Sequence, residues 1–131
     1  MTDRDFLESV RRRARLESAR DADLAARAVL ERVAGRLSLR TQRDLASRLP
    51  DRLRRHVLAA ANTDLGYAPS DAFLRDLAEE LLMSRAEAAG IAGAVGEVVT
   101  QLVPAGELGN LRAELHGTFD IVFGTGKPAA A

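Results

Sequence analysis

The chain repeats its own apolar pattern, and that repeat restricts its fold more than any local propensity does. Phe6-Leu7 and Val10 recur as Phe73-Leu74 and Leu77, 67 residues later. From Ser18 onward the offset is 66: Ser18 matches Ser84, Ala28-Val29 matches Ala94-Val95, Glu31 matches Glu97, and Val33 matches Val99. Leu45 and Leu49 then match Leu111 and Leu115. The one-residue slip falls at Glu17, between an apolar residue (Leu16 or Met83) and a serine, where a loop absorbs an insertion. The recurring positions are apolar or suited to capping helices, so the repeat defines a core and not a chemistry.

Each repeat reads as four helices. The first starts near Thr2-Asp3 and carries Phe6, Leu7, Val10 and Ala14 at helical spacing. Its counterpart follows Pro69-Ser70, with Ser70 as cap, and carries Phe73, Leu74, Leu77 and Leu81. The second helix is long. Ser84 and Glu87 form a capping box at its start in one copy, and Ser18 with Asp21 a weaker version in the other. Ala22, Ala25, Val29, Val33 and Leu37 give one apolar stripe; Ala88, Ile91, Val95, Val99 and Leu102 give its equivalent, ended by Pro104. Two short helices close each repeat. Thr41 is the expected cap of one holding Leu45 and Leu49, and Pro50 opens the next, with Leu53 and Val57. The copy runs through Leu108, Leu111, Leu115, Phe119 and Phe123 to Gly124.

Nothing alternates at period two, so no sheet is expected. The chain has 131 residues, suited to one compact core. The sequence therefore predicts a single all-α domain over residues 1–123, of about eight helices in two pseudo-symmetric four-helix repeats. Repeat one covers 3–61, a linker 62–69, repeat two 70–123, and a flexible tail 124–131. The predicted core is Phe6, Leu7, Val10, Val29, Val33, Leu45, Leu49, Leu53, Phe73, Leu74, Leu77, Val95, Val99, Leu111, Leu115 and Phe119.

Phe6-Leu7-x-x-Val10, Ala28-Val29-Leu30, Asp44-Leu45-Ala46-x-x-Leu49-Pro50, Gly106-Glu107-Leu108 and Leu111-Arg112-Ala113-x-Leu115 together resemble domain-of-unknown-function family 2267. The resemblance covers roughly residues 3–123. It implies a small all-helical protein with two similar halves and a bacterial, cytoplasmic origin. It brings no catalytic residues. His116-Gly117 departs from the family's pattern at the start of the last helix.

The chain has no cysteine, which excludes disulfides and thiolate metal sites and fits a reducing cytoplasm. No stretch reaches the roughly 18–20 apolar residues of a membrane span, and the first residues lack a signal-peptide pattern. The two histidines, His56 and His116, fall at non-equivalent places in the repeat, and neither has a ligand partner at i, i+4 spacing. Adjacent acids such as Glu79-Glu80, or Asp21 with Asp23, read as solvated helix faces. Gly90-Ile-Ala-Gly93-Ala-Val-Gly96 lacks dinucleotide-loop spacing, and Phe123-Gly-Thr-Gly-Lys127 lacks that of a phosphate loop. No catalytic residue, cofactor or metal is expected.

Two features are candidates for interaction. Gly90, Gly93 and Gly96, at i, i+3, i+6, are expected to share a helix side, for close packing inside the domain or for a shallow docking groove. Each interior glycine costs about 1 kcal/mol relative to alanine. The second feature is charge. The net charge is zero, but residues 1–66 hold 15 Arg against 10 acids, while residues 67–131 hold four basic residues against nine acids. Arg11, Arg12, Arg13 and Arg15, and then Arg52, Arg54 and Arg55, form two basic clusters with no counterpart in the second repeat. The expected function is a non-enzymatic helical module that binds a protein, with weak, salt-sensitive self-association if the two charged halves face outward. If they face each other, the charges are satisfied within one molecule. Binding of nucleic acid through the arginines is the alternative, and it is disfavoured by interspersed acids and the lack of stacking aromatics.

Overall fold

The computed structural model describes residues 1–60 and 70–124. They form eight helices and no strand: α1 Asp3–Ala14, α2 Ala19–Ala34, α3 Leu39–Ser47, α4 Asp51–Ala59, α5 Ser70–Leu81, α6 Arg85–Thr100, α7 Ala105–Leu115 and α8 Gly117–Val122. The linker expected at 62–69 and the tail beyond Gly124 lie outside the described residues.

Helix starts follow the local chemistry at α1, α2 and α6, whereas Ser70, the expected cap of α5, is itself the first helical residue. Ser84 and Glu87 make the full capping box, and so do Thr2 and Asp5 at α1. Ser18 accepts from the Asp21 amide without the reciprocal bond. At α3 the cap is Ser38, not Thr41. Thr41 sits one turn inside the helix with its side chain buried, because its hydroxyl donates to Glu114 of α7. Pro104 does not end α6, which stops at Thr100; it is the N-cap of α7, as Pro50 is of α4.

The Glu17 slip falls in a turn. Helices α1 and α5 both end in a Schellman motif: the Leu16 amide donates to the Arg11 carbonyl at 2.9 Å, and the Met83 amide to the Ala78 carbonyl at 3.0 Å. The residues forced left-handed are Arg15 (φ 56°) and Leu82 (φ 58°). Neither is glycine, so each bears about 1–2 kcal/mol of strain. The next caps are Ser18 and Ser84, so Glu17 is the extra residue of the α1–α2 turn.

Helices α2 and α6 are central. Helix α2 packs on α1, α4, α5 and α6, and α6 packs on α5, α8, α1 and α2. Thus α1 of the first half lies on α6 of the second, while α5 lies on α2, and α3 meets α7. One apolar cluster runs through all of it. Helix α6 is apolar nearly all round, with Ala88, Ile91, Ala92, Ala94, Val95, Gly96, Val98 and Val99 buried, as expected of a helix enclosed by others. Full burial of Val29 or Val95 contributes about 1.5–3 kcal/mol each. Every residue of the predicted core is buried except Leu74, which is partly exposed at its margin.

Candidate interaction surfaces

The structure does not join the two arginine clusters. Asp3, at the start of α1, accepts the Arg52 backbone amide at 3.1 Å. It thereby supplies the cap that Pro50 lacks at α4. Arg11 lies eight residues further along α1, about 12 Å away along the helix axis.

Within each cluster most cations are engaged. Arg11 donates to both oxygens of Glu8, at 2.9 and 2.7 Å, and to the carbonyl of Leu16, the residue whose amide closes the turn. That hydrogen bond, reinforced by the charges of Arg11 and Arg12, holds the Glu8 carboxyl below the usual carboxylate range. Arg12 reaches the same carboxylate at 3.8 Å. Arg52 pairs with Asp23 of α2 at 3.4 Å. Arg54 pairs with Asp51 and donates to the carbonyls of Ala46 and Leu49, tying down the end of α3. Arg15 and Arg55 are exposed and have no partner among the described residues.

The opposite charges of the two halves meet inside the molecule. Arg13 pairs with Glu97 at 3.7 Å, Arg32 with Glu80 at 2.7 Å, and Arg48 with Glu107 at 2.7 Å. In each pair the arginine is in the first half and the acid in the second. Hydrogen bonding to Arg48 lowers the Glu107 carboxyl. Glu114 of α7 crosses the same boundary. It accepts from the Ser38 amide at 2.7 Å, the Ser38 hydroxyl at 3.0 Å and the Thr41 hydroxyl, all at the positive end of α3. Burial pushes the Glu114 carboxyl up, but the bonds from Thr41 and Ser38 outweigh it and leave it below the usual range. Arg36, buried at the end of α2, lies over the Phe73 ring of α5 at 5.6 Å.

The three glycines of α6 do not share a side. Steps of three residues precess by about 60° each, so Gly90 and Gly96 point about 120° apart. A Cβ on Gly96 would lie 1.7 Å from the Val122 carbonyl oxygen. This glycine exists so that the α8 backbone can rest on α6. A Cβ on Gly90 or Gly93 would meet nothing within 4 Å. They leave a bare surface rather than a packed seam or a walled groove.

The histidines remain apart. His56 stands 3.7 Å from Glu31, and His116 makes the turn between α7 and α8 with φ 53°. No group of three His, Cys, Asp or Glu among the described residues is arranged to hold a metal ion, and no helix among them is long and apolar enough to cross a membrane.

Sequence reasoning missed one surface. Leu24 on α2 and Leu58 on α4 are 47% and 41% exposed. Arg20 and Arg27 flank Leu24 at helical spacing, and Arg55 precedes Leu58 by three residues. None of these three arginines has a partner among the described residues, and the Nε of Arg27 is buried without one. The available signal was Leu24 interrupting an otherwise polar face of α2. Leu82, 91% exposed, was also missed.

Fold and surfaces together define a small all-helical protein with one shared apolar core and exposed ion pairs that cross between its first and second parts. The chain belongs to the family described as "Uncharacterized conserved protein (DUF2267)", whose model matches residues 3–121. No curated protein matches the chain.

Proposed function

We propose that this protein is a non-enzymatic helical module, two copies of one four-helix unit, that binds another protein through the outer face of α2. The observation that carries this is Leu24, 47% exposed on α2, with Arg20 and Arg27 one turn to either side of it and neither with a partner among the described residues. The neighbouring acids Asp23 and Glu31 already face Arg52 and His56, which leaves Arg20 and Arg27 beside the single exposed acid of the helix, Asp21. An apolar centre with a charged rim is the general anatomy of a protein interface. The partner chemistry that fits is an acidic helix with apolar residues at i, i+3 or i+4 spacing.

The test compares capture from the native host by the wild-type protein and by a Leu24→Glu, Arg27→Glu variant of equal stability. A protein held by the wild type, released by salt and absent from the variant supports the reading. Equal capture by both overturns it. A parallel titration against random duplex DNA separates the nucleic-acid alternative, in which affinity falls steeply with salt.

A further inference from the structure

Leu82 is the strongest outlier of the molecule. It is 91% exposed and left-handed at φ 58°. Its position in the Schellman motif is one that glycine fills by default, so a leucine here bears strain while gaining nothing from burial. It projects at the α5–α6 corner beside an open depression that Met83 also lines. Glu79 stands three residues before Leu82 and Arg85 three residues after it, and neither has a partner among the described residues. Arg75 and Glu87 extend the rim, but they are already engaged by Asp76 and Ser84.

We propose that this corner binds a second copy of the chain about a two-fold axis. A patch with an apolar projection between one unpaired anion and one unpaired cation is complementary to itself. Rotation by a half turn sets Leu82 of each copy against the depression of the other, and brings Arg85 of one to Glu79 of the other, twice. Two-fold interfaces require such self-complementarity, and the zero net charge of the chain leaves no long-range repulsion between copies. The depression is lined by eight residues, against about 20–30 a side in a standard interface, so the dimer is weak and forms at high concentration. The surface lies in the second half and shares no residue with the α2 face, so the two readings stand or fall independently.

Sedimentation equilibrium tests the proposal on the full chain. The wild type is expected to show a monomer–dimer equilibrium. Leu82→Gly relieves the backbone strain, so it folds at least as well, and it is expected to weaken association at least tenfold. Glu79→Arg and Arg85→Glu alone should each weaken the dimer, and the two together should restore it. A wild type that stays monomeric at the highest concentration overturns the proposal. So does a Leu82→Gly protein that dimerises like the wild type, or a double reversal that fails to recover association.

Discussion

The α2–α4 seam and the α6–α8 seam solve one packing problem in different ways. Sixty-six residues before Gly96, at the offset of the sequence repeat, stands Leu30, which is fully buried. The flanks of that seam are polar, with Asp23 facing Arg52 and Glu31 facing His56. In the second half the equivalent positions read Ala89 with Thr118, and Glu97 with Val122. The α8 backbone settles onto Gly96, and Phe119 stacks near Phe123 at 5.3 Å. Shared apolar positions thus specify which helices meet, while one side-chain volume sets how closely.

The sharpest way to break the comparison is Gly96→Ala. In an open helix this change would gain about 1 kcal/mol. Here the Cβ meets the Val122 carbonyl, so α8 must move, and a net loss of about 3 kcal/mol is expected. Urea denaturation reads it directly, and an unchanged midpoint would show that α8 does not rest on this glycine.

A second experiment concerns the contact between α3 and α7. Arg48 and Glu114 occupy equivalent positions, as do Thr41 and Glu107, so the Arg48–Glu107 pair and the Glu114–Thr41 bond are counterparts. Only the second caps a helix. Glu114→Ala is expected to lose about 1–2 kcal/mol at neutral pH. The folded carboxyl is held below its ordinary value of 4.5, so its contribution is complete above that pH and fades as pH falls through the folded value. The gap between variant and wild type should therefore narrow below pH 4.5. A gap that is constant from pH 7 to pH 3 would mean that the carboxylate's charge is not involved.

The smallest effect sharpens the contrast within α6 itself. Gly90→Ala and Gly93→Ala meet open space and should each raise stability by about 0.5–1 kcal/mol. Thermal melts of the three alanine variants side by side then separate the one glycine required by packing from the two that are not. A loss at Gly93 comparable to that at Gly96 would put α1 or α5 closer to α6 than the structure has it.

Helical period and capping chemistry made the fold legible. Ser84 with Glu87 marks a helix start by local bonds alone, and Val29 or Val95 falls on the core side by spacing alone. The cap of α3 was not legible, because Ser38 and Thr41 are both competent. Glu114, 73 residues from Thr41, bonds both of them, and the cap is settled by the extended backbone at Ser38, whose hydroxyl accepts from the Thr41 amide. The glycines misled for a related reason: their identity is visible, but what stands opposite each is not. The arginine clusters were visible as composition, yet whether each charge is free depends on Glu8, Asp23, Asp51 and Glu97 arriving from other helices or turns. The α2 face and Leu82 stand out only after those pairings are subtracted.

The cap that Asp3 lends to α4 carries a consequence for how the chain assembles. Helix α4 has nine residues and no side-chain cap of its own, too few to hold together alone in water. Its missing acceptor is made 49 residues earlier, so during synthesis the start of α1 leaves the ribosome long before the backbone it completes. Until α1 docks, the first turn of α4 remains open. Trimming the first three residues is therefore expected to loosen a helix that begins only at Asp51.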